Sequence, residues 1–223
     1  MSESYIFKEK QKPKNNKLKP SFEIENSFNG LNVVGMDEAG CGPWAGPIVS
    51  ACAFIKNKDD ELLISKINDS KKISKINRKS IYEKIIKSPS IITSVGISDN
   101  NIIDSMGFSF ALNKSMVDAF NNICKNELKF HVAIVDGIRK PKLENCDIHC
   151  IKKGDEKSFS IACASIIAKV TRDLIMEKLH DKFPFYGWNT NSGYGTKKHI
   201  ESLKEYGSTK YHRMSFKPLK EFK

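Results

Sequence analysis

Residues 31–55 read LNVVGMDEAGCGPWAGPIVSACAFI. Leu31–Met36 is a short, mostly apolar run. Pro47–Ile55 is a second, built of small and β-branched residues. Each has strand character, and the glycine- and proline-rich stretch between them reads as the turn of a hairpin-like pair. Asp37 and Glu38 fall where the first strand gives way to that turn. In extended backbone, adjacent side chains point to opposite faces, so the turn must redirect Glu38 if the two carboxylates are to work together. Gly40, Gly42 and Gly46 allow backbone N–H and C=O groups to approach a ligand closely. A plain hairpin turn uses the same residue types.

Outward from this stretch, elements alternate. The segment 68–86, NDSKKISKINRKSIYEKII, places Ile73, Ile76, Ile81 and Ile85 at helical spacing, and 90–98, SIITSVGIS, reads as a third strand. The segment 100–123, NNIIDSMGFSFALNKSMVDAFNNI, is expected to be one long amphipathic helix. FHVAIVDG (130–137) is a strand ending, like the first, on an aspartate, Asp136. CDIHCIKKGD (146–155) holds a short strand and Asp155. SFSIACASIIAKVTRDLIMEKLHDKF (158–183) is a helix stopped before Pro184, and GYGTKKHIESLKEYG (193–207) a turn followed by a helix. There is no internal repeat. The order predicts an α/β fold with a mixed central sheet flanked by helices and a small helical C-terminal piece. Three regions are expected: a basic flexible tail over 1–26, a core over 27–185 and a helical extension over 186–223.

With 223 residues the chain suits one well-buried core plus an appendage. A net charge of +11 points to a polyanion, nucleic acid before an anionic membrane surface, although a lysine-rich solvated face carries charge too. Six lysines between Lys8 and Lys19 sit among polar residues, as in a disordered tail able to add phosphate contacts. No apolar run nears the roughly 18 residues needed to span a bilayer. The first residues lack the apolar stretch of a secretory signal, so a cytoplasmic location and no membrane partner are expected. Nothing demands more than a monomer. Cys41, Cys52, Cys124, Cys146, Cys150 and Cys163 contain no C-x-x-C pair and are read as reduced, structural thiols. The group CDIHC can bind a metal or form part of a short strand, and the alternation around it favours the strand.

Asp37 and Asp136 each close an apolar strand, Glu38 follows directly, and Asp155 precedes a small-residue helix. Ligand sites in α/β sheets gather at strand ends, and neighbouring strands lie about 4.8 Å apart. Taken singly, each acid has a bland role: Asp155 as a helix cap, Asp136 as the start of a turn. Together, four acids suit an oxygen-ligated divalent ion, Mg²⁺ or Mn²⁺, better than a glycosidase pair, which needs only two. In a basic chain the ion neutralises the acids while lysines meet the rest of the polyanion.

The motifs GMDEAGCGPWAGPIVSA, DSKK, VDGIRKP, KKGDEKSFSIACASIIAKVTRD, FPFYGWNTNSGYGTKKH and HRMSF occur in that order between about Leu31 and Phe216. In this the chain resembles the bacterial ribonuclease HII family. The resemblance implies a ribonuclease H-like fold with a helical C-terminal extension. It implies endonucleolytic cleavage of the RNA strand of RNA/DNA hybrids and incision 5′ of single ribonucleotides in duplex DNA, leaving 3′-hydroxyl and 5′-phosphate ends. The metal carboxylates carried over are Asp37, Glu38, Asp136 and Asp155, holding two divalent cations, Mg²⁺ or Mn²⁺, about 4 Å apart across the scissile phosphate. The main chain of Gly40, Cys41 and Gly42 is expected to sense the 2′-hydroxyl, and Tyr194 to pack against the following sugar. Lys71, Lys169, Arg172, His212 and Arg213 are expected at phosphates.

Two positions depart from the family pattern. Cys41 stands where arginine is usual between the two glycines, and Ser192 where a basic residue is common. Loss of the guanidinium removes a bidentate phosphate contact but leaves backbone sensing in place. The sister family, ribonuclease HIII, has a further N-terminal domain and usually a glutamate as fourth acid. Here fewer than 30 residues precede the first strand and the fourth acid is Asp155, both favouring HII. Two rivals remain at this level: a non-catalytic nucleic-acid-binding module, which leaves the four acids unexplained, and another nuclease or phosphotransferase on the same fold.

Overall fold

The computed structural model describes residues 20–58, 67 and 75–222. Lys71, Ile73 and the lysine-rich residues before Pro20 lie outside the described residues. The elements are α1 (Glu23–Asn26), β1 (Val33–Ala39), β2 (Ile48–Ile55), α2 (Lys75–Lys87), β3 (Ile91–Ser98), α3 (Asn100–Met106), α4 (Phe108–Cys124), β4 (Val132–Asp136), β5 (Asp147–Ile151), α5 (Phe159–Lys182), α6 (Trp188–Asn191) and α7 (Lys197–Tyr206). Short 3₁₀ turns cover Gly154–Glu156, Pro184–Tyr186 and Lys217–Phe222.

The strands form one sheet in the order β3-β2-β1-β4-β5. β1 pairs antiparallel with β2, and β2 with β3. β1 pairs parallel with β4, and β4 with β5. The sheet is therefore mixed, as the element order predicts. Both faces are covered. On one, Ala51, Ala53 and Ile55 of β2 pack with Ile81 and Ile85 of α2 and with the apolar side of α5. On the other, Val34 and Met36 of β1 and Cys52 of β2 pack with Leu112, Met116 and Phe120 of α4. A Cβ on Gly35 would lie 2.3 Å from the Ser160 carbonyl carbon, and one on Gly96 2.0 Å from Ser115 O, so at these two points the helix backbone comes close because the strand lacks a side chain. No helix among the described residues is long and apolar enough to cross a membrane.

Three expectations change. The single helix over 100–123 is two, because Gly107 takes φ 87 and ψ 157, a backbone that residues with a Cβ rarely adopt. Ile76, placed on the apolar stripe of 68–86, is 80% exposed, and only Ile81 and Ile85 of the described stripe reach the core. Residues 20–26, grouped with the tail by composition, include α1, whose Glu25 is buried and accepts hydrogen bonds from Ser158 and Ser160.

Candidate active site

Asp37 emerges near the end of β1 and Asp136 at the end of β4, the parallel neighbour, where Met36 pairs with Val135. The topology thus brings two aspartates side by side at one edge of the sheet. Asp37 is only 7% exposed. Burial, followed by repulsion from Glu38 and Asp136, pushes its carboxyl up to about 8, against a hydrogen bond from Ser165 and one from the Glu38 N–H at 2.7 Å. Burial also raises Glu38, as does the charge of Asp136, while the Cys41 thiol and Arg139 lower it. Asp136 Oδ1 accepts the Gly154 N–H at 2.6 Å, which ties β4 to the turn carrying Asp155. Asp155 lines a cavity of about 320 Å³ with Arg78, Ser165 and Lys169. Ser165, which also interacts with Asp37, thus lines the same cavity as Asp155.

The donor set consists of hard carboxylate oxygens, and Asp37 and Glu38 are both raised, by burial first and by neighbouring acids after it. Such a set suits a divalent cation of the Mg²⁺ or Mn²⁺ type. Among the described residues no three His, Cys, Asp or Glu side chains are already grouped as ligands around one point.

The loop from Gly40 to Pro47 is held from beneath by two buried arginines. Arg172 donates from Nε to Pro47 O at 2.9 Å, from an Nη to Ala45 O at 3.0 Å and from the other to Ser192 O at 2.9 Å. Arg213 donates from Nε to Gly46 O at 2.9 Å, with its Nη groups reaching Gly40 O at 2.7 Å and Cys41 O at 3.4 Å. Gly40 has φ +97, and a Cβ there would lie 2.2 Å from Arg172 Nε, so only glycine admits the guanidinium this close. Trp44 N–H donates to Gly193 O at 2.8 Å and Arg213 N–H to Trp44 O at 2.8 Å, joining the loop to the C-terminal region.

These contacts correct three expected phosphate ligands. Arg172 is 1%, His212 1% and Arg213 0% exposed. Their donors and acceptors meet loop carbonyls, His199 and Thr209 instead. Lys169 does stand at the cavity shared with Asp155, paired with Asp173 at 2.7 Å. Tyr194 is half exposed, and its ring lies beside Gly42, where a Cβ would come within 3.2 Å of Cε1. The Cys41 thiol does not point away from the acids. It donates to Glu38 Oε1 at 3.4 Å, and burial with the Glu38 charge pushes it up to about 12, so it is a neutral donor. Asp147–Cys150 of CDIHC lie in strand β5, with Asp147 and His149 bonded to each other at 2.8 Å. Ser192, the second departure, donates to Asp173 Oδ1 at 3.1 Å.

Sequence reading missed Ser165, Arg139 and Glu25. The one signal for Ser165 was a hydroxyl inside the apolar run ASIIA of a helix that packs on the sheet.

A mixed sheet with this strand order, flanked by helices and carrying acids on its two central parallel strands, is the ribonuclease H-like class of fold. Ribonuclease H2 from Pyrococcus horikoshii superposes with a TM-score of 0.72 at 28% identity, covering 86% of this chain and 97% of that one. Bst-RNase HIII solved in complex with Mn²⁺ shares the fold at a TM-score of 0.68 and 21% identity, over 85% of this chain and 68% of that one. The chain belongs to the ribonuclease HII family, whose model, described as Ribonuclease HII, matches residues 34–219. A ribonuclease HII of Ehrlichia canis is 44% identical over 90% of this chain and 95% of its own length. The protein is thus a hydrolase, an endonuclease of the ribonuclease H type acting on RNA/DNA hybrids, in a divalent-metal-dependent family.

Proposed function

We propose that the enzyme incises duplex DNA on the 5′ side of an embedded ribonucleotide as well as cutting hybrids, leaving 3′-hydroxyl and 5′-phosphate ends. The observation carrying this is the pairing of a carboxylate cluster with a glycine loop whose carbonyls are turned inward onto Arg172 and Arg213. With its carbonyls so held, the backbone of Gly40, Cys41 and Gly42 is left to read the ribose 2′-hydroxyl, the group that separates RNA from DNA. The half-exposed Tyr194 ring beside Gly42 supplies a flat surface for the next sugar. Lys169 meets a nearby phosphate.

Asp37, Glu38, Asp136 and Asp155 would hold two divalent ions, Mg²⁺ or Mn²⁺, the latter being the ion found with Bst-RNase HIII. Bound metal supplies Lewis acidity and a water acidic enough to attack at neutral pH. The chain's own groups set the geometry. Ser165 orients the Asp37 carboxylate, the Gly154 N–H orients Asp136, and the Cys41 thiol orients Glu38. Because recognition and cleavage share the junction of β1 and the loop, a sugar without its 2′-hydroxyl leaves the scissile bond misplaced, and an error of about 1 Å can cost roughly 100-fold in rate.

The test compares an all-DNA duplex with the same duplex bearing one ribonucleotide, in Mg²⁺ and in Mn²⁺, with end-labelled products. Cleavage of the second duplex alone, 5′ of the ribonucleotide, is expected. Asp136→Asn should lower that rate by more than about 100-fold with the fold retained by circular dichroism. Equal cleavage of both duplexes, or near-normal activity in Asp136→Asn, overturns the reading.

A further inference from the structure

Asp155 lies in the 3₁₀ turn Gly154–Glu156, outside the sheet that fixes the other three acids. Its place depends on how that turn is tied down. On one side the Gly154 N–H is bonded to Asp136. On the other, the chain is met by residues preceding the whole catalytic sheet. Ser21 N–H donates to Lys157 O at 3.0 Å, and Phe159 N–H to Ser21 O at 3.3 Å. Glu25 is 7% exposed. Its Oε1 accepts from Ser158 Oγ at 2.7 Å, Ser160 N–H at 2.9 Å and Ser160 Oγ at 2.7 Å. Its Oε2 is buried and has no hydrogen-bond partner among the described residues. The hydrogen bonds of this carboxylate thus go to the first turn of α5, where an anion also meets the favourable end of the helix dipole.

That first turn governs the metal site from two directions. Ser158 caps α5, accepting from Ile161 N–H at 3.2 Å, and Asp155 is three residues upstream. Ser160 is packed on β1 where Gly35 leaves room, two residues before Asp37, and Ser165 further along the same helix bonds Asp37. We infer that Glu25 is a positioning residue for the metal centre: by binding Ser158 and Ser160 it sets the start of α5, and with it the spacing of Asp155 from Asp37. Residue 25 lies outside the stretch matched by the family model. The inference rests on the reading of Asp37, Glu38, Asp136 and Asp155 as metal ligands.

The test measures Mn²⁺ binding to the full chain, by the electron paramagnetic resonance signal of free Mn²⁺, well below the melting midpoint of each variant. Wild type should bind and Asp136→Asn should bind far more weakly. Glu25→Ala should weaken binding by about tenfold, the loss typical of an outer-shell partner. Glu25→Gln, which keeps an oxygen acceptor for the two serines, should fall between them. A purely structural Glu25 would lower the melting midpoint and leave the affinity of the folded protein unchanged. Equal Mn²⁺ affinity in folded Glu25→Ala and wild type overturns the inference and leaves the metal assignment standing. Absence of binding by wild type overturns both. If Glu25→Ala does not fold, Ser160→Ala, which removes one donor to Glu25, takes its place: a weaker site in the same direction supports the role, and an unchanged one overturns it.

Discussion

A guanidinium that is 1% exposed, like that of Arg172, has no route to a phosphate on the surface of a duplex. Its donors face Ala45, Pro47 and Ser192, and burial pulls its pKa down to about 10, leaving it cationic at neutral pH. Arg213, beside it, is drawn to about 9 by burial and by the Arg172 charge. A buried carbonyl left unpaired costs about 1–3 kcal/mol, and for a chain of this size each kcal/mol moves the melting midpoint by about 2–4 °C. Arg172→Met should therefore lower that midpoint by about 5 °C or more and slow cleavage. The salt dependence of substrate binding should stay as in wild type, because no phosphate contact is lost. A shallower salt slope in this variant would return Arg172 to the phosphate role that its sequence position suggests. Lys169, which is partly exposed at the cavity, is the opposite case, and Lys169→Ala should flatten the slope by about one contact.

Among the elements, the C-terminal helices carry a device that the sequence pattern conceals. Thr209 N–H donates to His212 Nδ1 at 2.8 Å, so in the neutral ring the proton lies on Nε2 and is donated to His199 Nε2 at 3.0 Å. His199 donates in turn from Nδ1 to Tyr194 O at 2.9 Å and accepts from Trp188 Nε1 at 3.3 Å. Protonating His199 at Nε2 would set two N–H groups head to head, and protonating His212 at Nδ1 would turn an N–H toward that of Thr209, with only the Thr209 hydroxyl at 3.0 Å able to accept it. Burial, with the neighbouring His199, pulls His212 down to about 4 from 6.5, and burial also lowers His199. The folded state thus binds fewer protons than the unfolded state between those values. Stability from this pair is complete above about pH 6.5 and declines as pH falls toward about 4. The melting midpoint should drop on acidification across that window, and His212→Asn, lacking the titration, should show a shallower decline. Because the chain of bonds ends on Tyr194, the loop bearing that ring should loosen first. The break between α3 and α4 shows the reverse relation of pattern to structure. Apolar spacing continues across 100–123, and a single glycine backbone ends one helix and starts another.

For the whole molecule, the C-terminal region and the glycine loop share one core. Ala45 of the loop packs with Met176, Tyr186, Trp188, Leu203 and Leu219, and Trp44 lies against that cluster. The C-terminal residues Tyr186, Trp188, Leu203 and Leu219 therefore help to hold the glycine loop in place. A net charge of +11 acts at longer range. It should steer nucleic acid to the enzyme and make binding strongly dependent on salt. For a footprint of six or more phosphates, affinity for an RNA/DNA hybrid should fall by about 1,000-fold or more between 50 and 200 mM salt. A binding isotherm series across that range checks this, and a nearly flat dependence would show that the charge lies off the substrate path.

The order of elements, the mixed sheet and the placement of Asp37 and Asp136 at strand ends were determined by the sequence itself, because strand periodicity and terminal turns are local properties of the chain. The proposal of Asp37, Glu38, Asp136 and Asp155 as metal ligands rests on residue type and position at element ends. What the buried arginines and histidines touch was decided only by the tertiary structure, and so was the docking of Glu25 on α5. Most of the arginine contacts and those of Glu25 join residues more than a hundred positions apart, such as Arg172 with Pro47 or Glu25 with Ser160, and the histidine contacts depend on how the C-terminal turns fold over one another. A side chain's charge says what it can bind, but its burial, which depends on every element packed around it, says what it does bind.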